Sequence, residues 1–328
     1  MASKAKVLLI PSTSKRYGGD LYEEEVVQVI SSEFDVNMKQ VIPSTAKTNH
    51  LLAVPKYFHN LYDLKHEQAA VTIRSMNNPF FLANNTKNVV IAYHYDTRFC
   101  HPLVRVHAHL TYLSMYRQRH KIDRLVVISD FWADYFRARG FERITIIRSA
   151  VDPKEFVVSK EEVEAVKTKY GLHGKKVIYV GNPLRKKGTD KVAAVLKDKG
   201  YLLVATGNSD TELPALTLKL EFREYAALIN SIGLAITMSQ FNEGWCRQAH
   251  EAMLCGVPVI GSGFGGMKEL LDAGGQPVCT DFDLLPELVE KTYGDKALGE
   301  KGRVAALKYS ATTFSEDWLQ VIRDLSSY

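Results

Sequence analysis

The feature that most constrains this chain is a repeated alternation of short, β-branched apolar runs with segments of helical spacing. Lys6–Ile10 (KVLLI) leads to Leu21–Ile30, where Leu21, Val26, Val27 and Ile30 recur mostly at helical intervals. The rhythm returns at Val89–Tyr93, the amphipathic stretch Leu103–His120, Leu125–Ser129, a helix over Asp130–Arg139 with Asp130 as its cap, and Ile144–Ile147. A second series runs through Lys176–Val180, Asp190–Leu196, Tyr201–Ala205, Arg223–Ile229, Leu234–Met238, Arg247–Cys255, Val257–Ile260 and Met267–Leu271. Strands separated by helices imply parallel sheets covered on both faces. In such sheets ligands gather at the carboxyl ends of strands, so chemistry is sought in the loops that follow them.

Two series in 328 residues fit two domains of about 150 residues each. The linker is read near Ser149–Lys160, around Pro153, which gives an α/β chain of two Rossmann-like domains, 1–153 and 154–310, with a segment 311–328 after them. Residues 45–85 carry Asn, Pro and His in every periodic run and read as short strands and mobile loops. No run of about 18 apolar residues occurs and Met1–Lys6 leads straight into a strand, so neither a transmembrane helix nor a signal peptide is read, and the expected location is the cytoplasm.

Cys100, Cys246, Cys255 and Cys279 form no Cys-x-x-Cys pair, so they read as reduced and mostly buried rather than as a zinc site or disulfide framework. Residues 1–155 hold 21 Lys and Arg against 15 Asp and Glu, and the remainder 21 against 22, so the first half should face an anionic partner or surface. A nucleic-acid role is not read, because the basic residues lack an aromatic platform or a known module.

The most informative segment is Glu243-Gly-Trp-Cys-Arg-Gln-Ala-His-Glu251, followed by Ala-Met-Leu-Cys-Gly256-Val-Pro-Val-Ile260 and Gly265-Gly266-Met-Lys-Glu269. Glu243 lies in a loop after an apolar strand, and Glu251 about two turns into the next helix, so both carboxylates can border one pocket. A carboxylate accepts two hydroxyl donors, the geometry that neighbouring ring hydroxyls of a sugar present. Gly244, Gly265 and Gly266 allow backbone to approach a ligand. This string resembles the signature of the retaining glycosyltransferases of the GT-B fold, the large group with two glutamates separated by seven residues.

That resemblance implies two Rossmann-like domains facing across a cleft, with the first on the acceptor side, the second binding the nucleotide sugar, and the last helix returning to the first domain. Trp318 and Ile322 would be that helix's buried face. It also implies that Glu251 holds the donor ribose, that Glu243 sits against the donor sugar, and that Gly244, Trp245, Cys246 and Arg247 line the donor. In Gly181-Asn182-Pro-Leu-Arg185-Lys186-Lys187-Gly188, Lys187 fits the lysine that holds the diphosphate, with Gly181 beside it. Asn182 stands where an arginine is expected, leaving Arg185 or Lys186 to supply the second cation. Gly18 and Gly19, after the first strand, resemble the loop that faces donor phosphates, and His94 resembles a strand-end histidine near the donor sugar. Arg148-Ser-Ala-Val151-Asp152, with Phe156, takes the place of a motif that precedes the linker.

The implied reaction is transfer of a hexose with retention, without a metal or other cofactor, the nucleotide-diphosphate sugar being a co-substrate. The acceptor, whether glycan, lipid or small molecule, is unread. Asp281-Phe-Asp283 follows polar residues and reads as a helix start rather than a metal-binding Asp-x-Asp. The basic helix read over Leu103–Arg124 would bring the first half to an anionic membrane, or simply pack on its sheet with its charges in water. A rival reading, a catalytically degenerate scaffold subunit, draws on Asn182, and a nicotinamide oxidoreductase lacks an early Gly-x-Gly-x-x-Gly.

Overall fold

The structure, a computed structural model, describes residues 4–11, 18–41 and 50–327, and for residues 18–20 and 50–54 the backbone alone. The chain divides into two compact units, one running to Ser149 and resumed from Thr312, the other spanning Ala150–Ala311.

The first unit contains β1 (Lys6–Ile10), α1 (Gly18–Ile30), β2 (Asp35–Met38), α2 (His50–Leu64), β3 (Val71–Ser75), β4 (Lys87–Ala92), α3 (Pro102–Arg117), β5 (Ile122–Val127), α4 (Asp130–Arg137) and β6 (Ile144–Ile146). Its six strands are all parallel in the order β2-β1-β3-β4-β5-β6. β1, β3 and β4 are buried along nearly their whole length, which is why they read as unbroken apolar runs.

Several elements differ from the sequence reading, three of them for an evident physical reason. Within residues 45–85 a helix, α2, forms although Pro55 lies inside it; its Leu61 and Leu64 pack on Leu8 and Ile10 of β1, and that burial outweighs the hydrogen bond proline cannot donate. α3 stops at Arg117, where Gln118 turns the chain and its side chain takes the backbone N–H of Leu82. Arg124 therefore lies in β5, not in the basic helix. The cap of α4 is Ser129, whose hydroxyl accepts the Trp132 N–H at 3.4 Å, rather than Asp130.

The second unit contains α5 (Lys160–Lys169), β7 (Lys176–Gly181), α6 (Thr189–Leu196), β8 (Tyr201–Thr206), β9 (Leu216–Leu218), α7 (Phe222–Ile229), β10 (Leu234–Thr237), α8 (Arg247–Leu254), β11 (Val259–Gly261), α9 (Met267–Ala273), α10 (Leu285–Thr292) and α11 (Lys296–Ala306). Its parallel strands lie in the order β11-β10-β7-β8-β9. The winding reverses between β7 and β10, so the loops after those two strands flank the crevice where α/β sheets take their ligands.

The last helix, α12 (Ala311–Ser326), completes the first unit. Trp318 and Ile322 are fully buried; the indole N–H donates to the Tyr22 hydroxyl at 3.2 Å, which donates in turn to the Ile147 carbonyl at 2.9 Å. The four cysteines are free, with Cys246 and Cys279 buried and Cys100 and Cys255 partly so. Among the described residues no helix is long and apolar enough to cross a membrane, and no group of three or more metal-ligating side chains comes together.

Candidate functional site

The two loops at the reversal point meet through a charge pair. Lys187, in the single tight turn Arg185–Lys187 after β7, reaches Oε1 of Glu243, in the loop after β10, and Ser239 Oγ donates to the same oxygen at 2.5 Å. Glu243 is buried, while about a fifth of the Lys187 side chain stays accessible. Burial opposes the ammonium charge, but the Glu243 carboxylate outweighs it and raises the Lys187 pKa. Lys187 is thus a fixed cation at a strand end, with the Phe241 ring 5.2 Å from its ammonium.

The backbone of Glu243 is pinned by the loop after β11. Its N–H donates to Phe264 O at 3.2 Å and its carbonyl accepts from Gly266 at 2.9 Å. Gly265, at φ +68°, lies so close that a Cβ there would stand 2.3 Å from the Glu243 carbonyl oxygen. Of the three glycines expected to admit a ligand, Gly265 thus makes room for Glu243 itself.

Glu251 lies on α8 with Arg247 one turn before it at 3.7 Å, and Tyr225 of α7 donates to its Oε2 at 2.5 Å. Burial raises its pKa, opposed by Arg247 and by the Tyr225 hydrogen bond. One carboxylate oxygen is thereby engaged by protein and the other lies beside a cation. Tyr225 is held edge-on between Phe156 and Tyr179.

Asn182 is tied down rather than projecting. Its Oδ1 accepts from Gln248 Nε2 at 2.7 Å, and its amide packs on Gly207. Gly181, at φ +77°, leaves the space Gln248 fills, since a Cβ there would meet Gln248 Oε1 at 2.5 Å. Arg185 is exposed, and its backbone N–H donates to Asp210 at 2.8 Å, fixing the turn that presents Lys187.

Other expected residues are placed differently. The Trp245 indole is buried, donating to His250 Nδ1 at 3.3 Å and lying edge-on to Tyr309, so its side chain builds the floor beneath the loop. Cys246, the residue before α8, is buried at φ +78°, a conformation costly for a side chain with a Cβ and found where loops are held by their surroundings. Burial, then the Glu243 charge, pushes its thiol up to about 12, which favours the protonated form. In the first unit Gly18 and Gly19 open α1 rather than standing in a loop, and Arg16 lies outside the described residues. His94 is exposed two residues beyond β4, and Asp96 turns back to hold Arg98.

Ser239, Tyr225, Tyr179, Gln248 and Asp210 were not singled out from sequence. Ser239 stands four residues before Glu243 and could have been found as a short-range partner; the others come from separate elements.

No family profile and no curated protein sequence matches the chain. Solved structures do. Sucrose-phosphate synthase from Thermosynechococcus elongatus superposes with a TM-score of 0.79 at 15% identity, over 98% of this chain and 99% of that one. HepE from Anabaena, in complex with UDP-glucose, gives 0.77 at 14% identity over 98% and 100%. WaaG, a glycosyltransferase involved in lipopolysaccharide biosynthesis, gives 0.75 at 17% identity over 96% and 99%. The fold is GT-B, with two Rossmann-like α/β units each built on a parallel sheet.

Proposed function

We propose that the protein is a retaining glycosyltransferase that moves a hexose from a nucleotide-diphosphate sugar to a hydroxyl of a glycan, lipid or small-molecule acceptor, without a metal. The observation that carries this reading is the Lys187–Glu243 pair at the winding reversal of the second sheet, with Glu251 one turn into the helix that follows the Glu243 loop. HepE and WaaG, similar in fold, support it.

On this reading 154–310 binds the donor and 1–153 serves the acceptor, with 311–328 joined to the latter. Glu251 takes the ribose hydroxyls, and Glu243 faces the sugar ring. Lys187, with Arg185 exposed on the same turn, meets the diphosphate, and backbone around Gly181, Asn182, Gly244, Cys246 and Arg247 lines it. Gly18, Gly19 and His94 keep the roles their resemblance implies. The bond from the anomeric carbon to phosphate breaks and the bond to the acceptor oxygen forms on the same face. The acceptor's proton passes to the departing diphosphate, whose growing charge Lys187 stabilises. Release of nucleoside diphosphate from a panel of nucleotide sugars, starting with UDP-glucose, tests this, with and without EDTA. Activity that persists in chelator is expected; metal-reversible loss would remove the metal-free mechanism. No turnover with any donor would leave the scaffold reading, which Asn182 favours.

We also propose a cytoplasmic location with peripheral contact to an anionic membrane face. In support, Leu103, Val104, Val106 and Leu110 of α3 are exposed, and no Asp or Glu occurs from Thr97 to Ile122 while Arg105, Arg117, Arg119 and Lys121 do. Sedimentation with phosphatidylglycerol vesicles, weakened by salt and absent with phosphatidylcholine alone, is the expected result; indifference to lipid charge would end this idea.

A further inference from the structure

Arg74, in the last turn of pleat of β3, is 1% exposed. It pairs in register with Ile10 of β1 and Val90 of β4, so it lies on the face where Ile10 packs against Leu61 of α2. Its Nη1 donates to the Phe80 carbonyl at 3.2 Å, whereas Nε and Nη2 have no hydrogen-bond partner among the described residues. Those two nitrogens form the side-on edge of the guanidinium, the fork that matches two oxygens of a carboxylate or phosphate. Burial lowers the Arg74 pKa to about 10, and the titratable group that acts on it, the Tyr57 hydroxyl, is itself pushed up to about 12 by burial and so brings no negative charge at pH 7. Buried cations in folded proteins are paired, because desolvation is otherwise uncompensated.

The surroundings point the same way. The first sheet reverses its winding between β1 and β3, so Arg74 stands at the position where such a sheet takes ligands. Asn78, also 1% exposed, bridges to the end of β1 through Pro11 O at 2.8 Å, and its Oδ1 has no partner among the described residues. The segment whose Phe80 carbonyl meets Arg74 is strained: the next residue, Phe81, holds φ +57°, which a bulky residue rarely adopts. Tyr57, Phe58 and Phe80 cluster beside it with ring centroids 5.1 to 5.3 Å apart, giving flat apolar walls with polar edges.

We propose that Arg74 anchors a second ligand site, in the first unit, for a sugar that carries a carboxylate or phosphate group. Its assignment as the acceptor rests on the glycosyltransferase reading above; the anion site does not. Nε–H and Nη2–H take the two anionic oxygens, and Asn78 Oδ1 accepts a sugar hydroxyl.

The test is calorimetric titration of the full chain, at matched ionic strength, with inorganic phosphate, glucose 6-phosphate, glucuronate and neutral glucose. Saturable binding of an anionic sugar is expected and none of glucose; the phosphate and glucuronate arms decide which anion is taken. Lys187→Ala should leave this binding unchanged, Arg74→Lys should weaken it at least tenfold, and Arg74→Met should abolish it. Arg74→Met should also unfold no earlier than the parent in anion-free buffer, since an unpaired buried charge has been removed; a structural arginine would do the reverse. The proposal is overturned by no binding of any anion, by unchanged affinity in Arg74→Lys, or by binding lost in Lys187→Ala and kept in the Arg74 variants. Turnover of nucleotide sugars by the parent is read separately, so a missing transferase activity would not be mistaken for a missing anion site.

Discussion

The two units are wound alike but meet charge differently at the carboxyl edges of their sheets. In the second, two buried or half-buried cations face carboxylates: Lys187 with Glu243, Arg247 with Glu251. In the first, Arg74 is buried at the corresponding edge, and among the described residues its one hydrogen-bond partner is the Phe80 carbonyl. A paired edge is organised before any ligand arrives, so its loops hold their shape alone. An unpaired one spends stability on a group that only a ligand can satisfy. The covering helices differ too: α8 buries Ala249, His250, Ala252, Met253 and Leu254, whereas α3 buries only Thr111 and Met115 among its sixteen residues.

The contrast can be broken most forcefully at the helix that completes the first unit. Trp318→Ala removes a fully buried indole and its hydrogen bond to Tyr22, and should cost about 3–5 kcal/mol. Denaturant unfolding reads this; a loss below about 1 kcal/mol would mean α12 is dispensable to that unit. On the transferase reading, in which the Lys187 ammonium meets charge that grows in the transition state, Lys187→Ala should lower turnover at saturating donor by about 10²–10³. Unchanged turnover would take the paired edge of the second unit out of the chemistry.

His250, buried under Trp245 with Nε2 on the Ala306 carbonyl at 3.0 Å, tests how rigid the second unit's floor is. Burial lowers its pKa to about 4. Above the unfolded value of about 6.5 both states are neutral; as pH falls toward 4 only the unfolded chain takes up the proton, so stability is lost by roughly 3 kcal/mol. His250→Gln should show a drop smaller by that amount between pH 6.5 and 4, and identical slopes would place the imidazole in contact with water. The smallest effect is expected at Glu251→Gln: nucleoside diphosphate should bind more weakly by about 1.5–3 kcal/mol with little change in the rate from the bound state. Equal affinity would remove Glu251 from ribose binding.

Much of the second unit's edge is legible from the chain because its parts are close in sequence. Glu243, Gly265 and Glu251 fall within one strand-loop-helix-strand-loop passage, where spacing alone fixes which end of the sheet they share. Tyr225 comes from α7 and reaches Glu251, and Gln248 reaches Asn182 and Tyr179 of the β7 strand and loop, pairings that nothing local marks. Trp245 stood inside the motif yet turns inward, because an indole gains more from burial against His250 and Tyr309 than its place in the string reveals. The first unit is harder to read for a related reason: α2 contains Pro55 and persists through packing on β1, a contact between segments more than forty residues apart.

By itself the sequence determined the α/β alternation and the existence of two sheets, which rest on local periodicity, and it marked Glu243, Glu251 and Lys187 through their resemblance to a family string. Only the tertiary structure decided the strand orders, and with them the two reversal points. It also decided that Lys187 is spent on Glu243, that Gly265 serves Glu243, and that Arg74 is buried without a counter-charge. Those outcomes depend on which strands become neighbours and on how much water is excluded between them, quantities set by the packing of distant segments and absent from any local pattern.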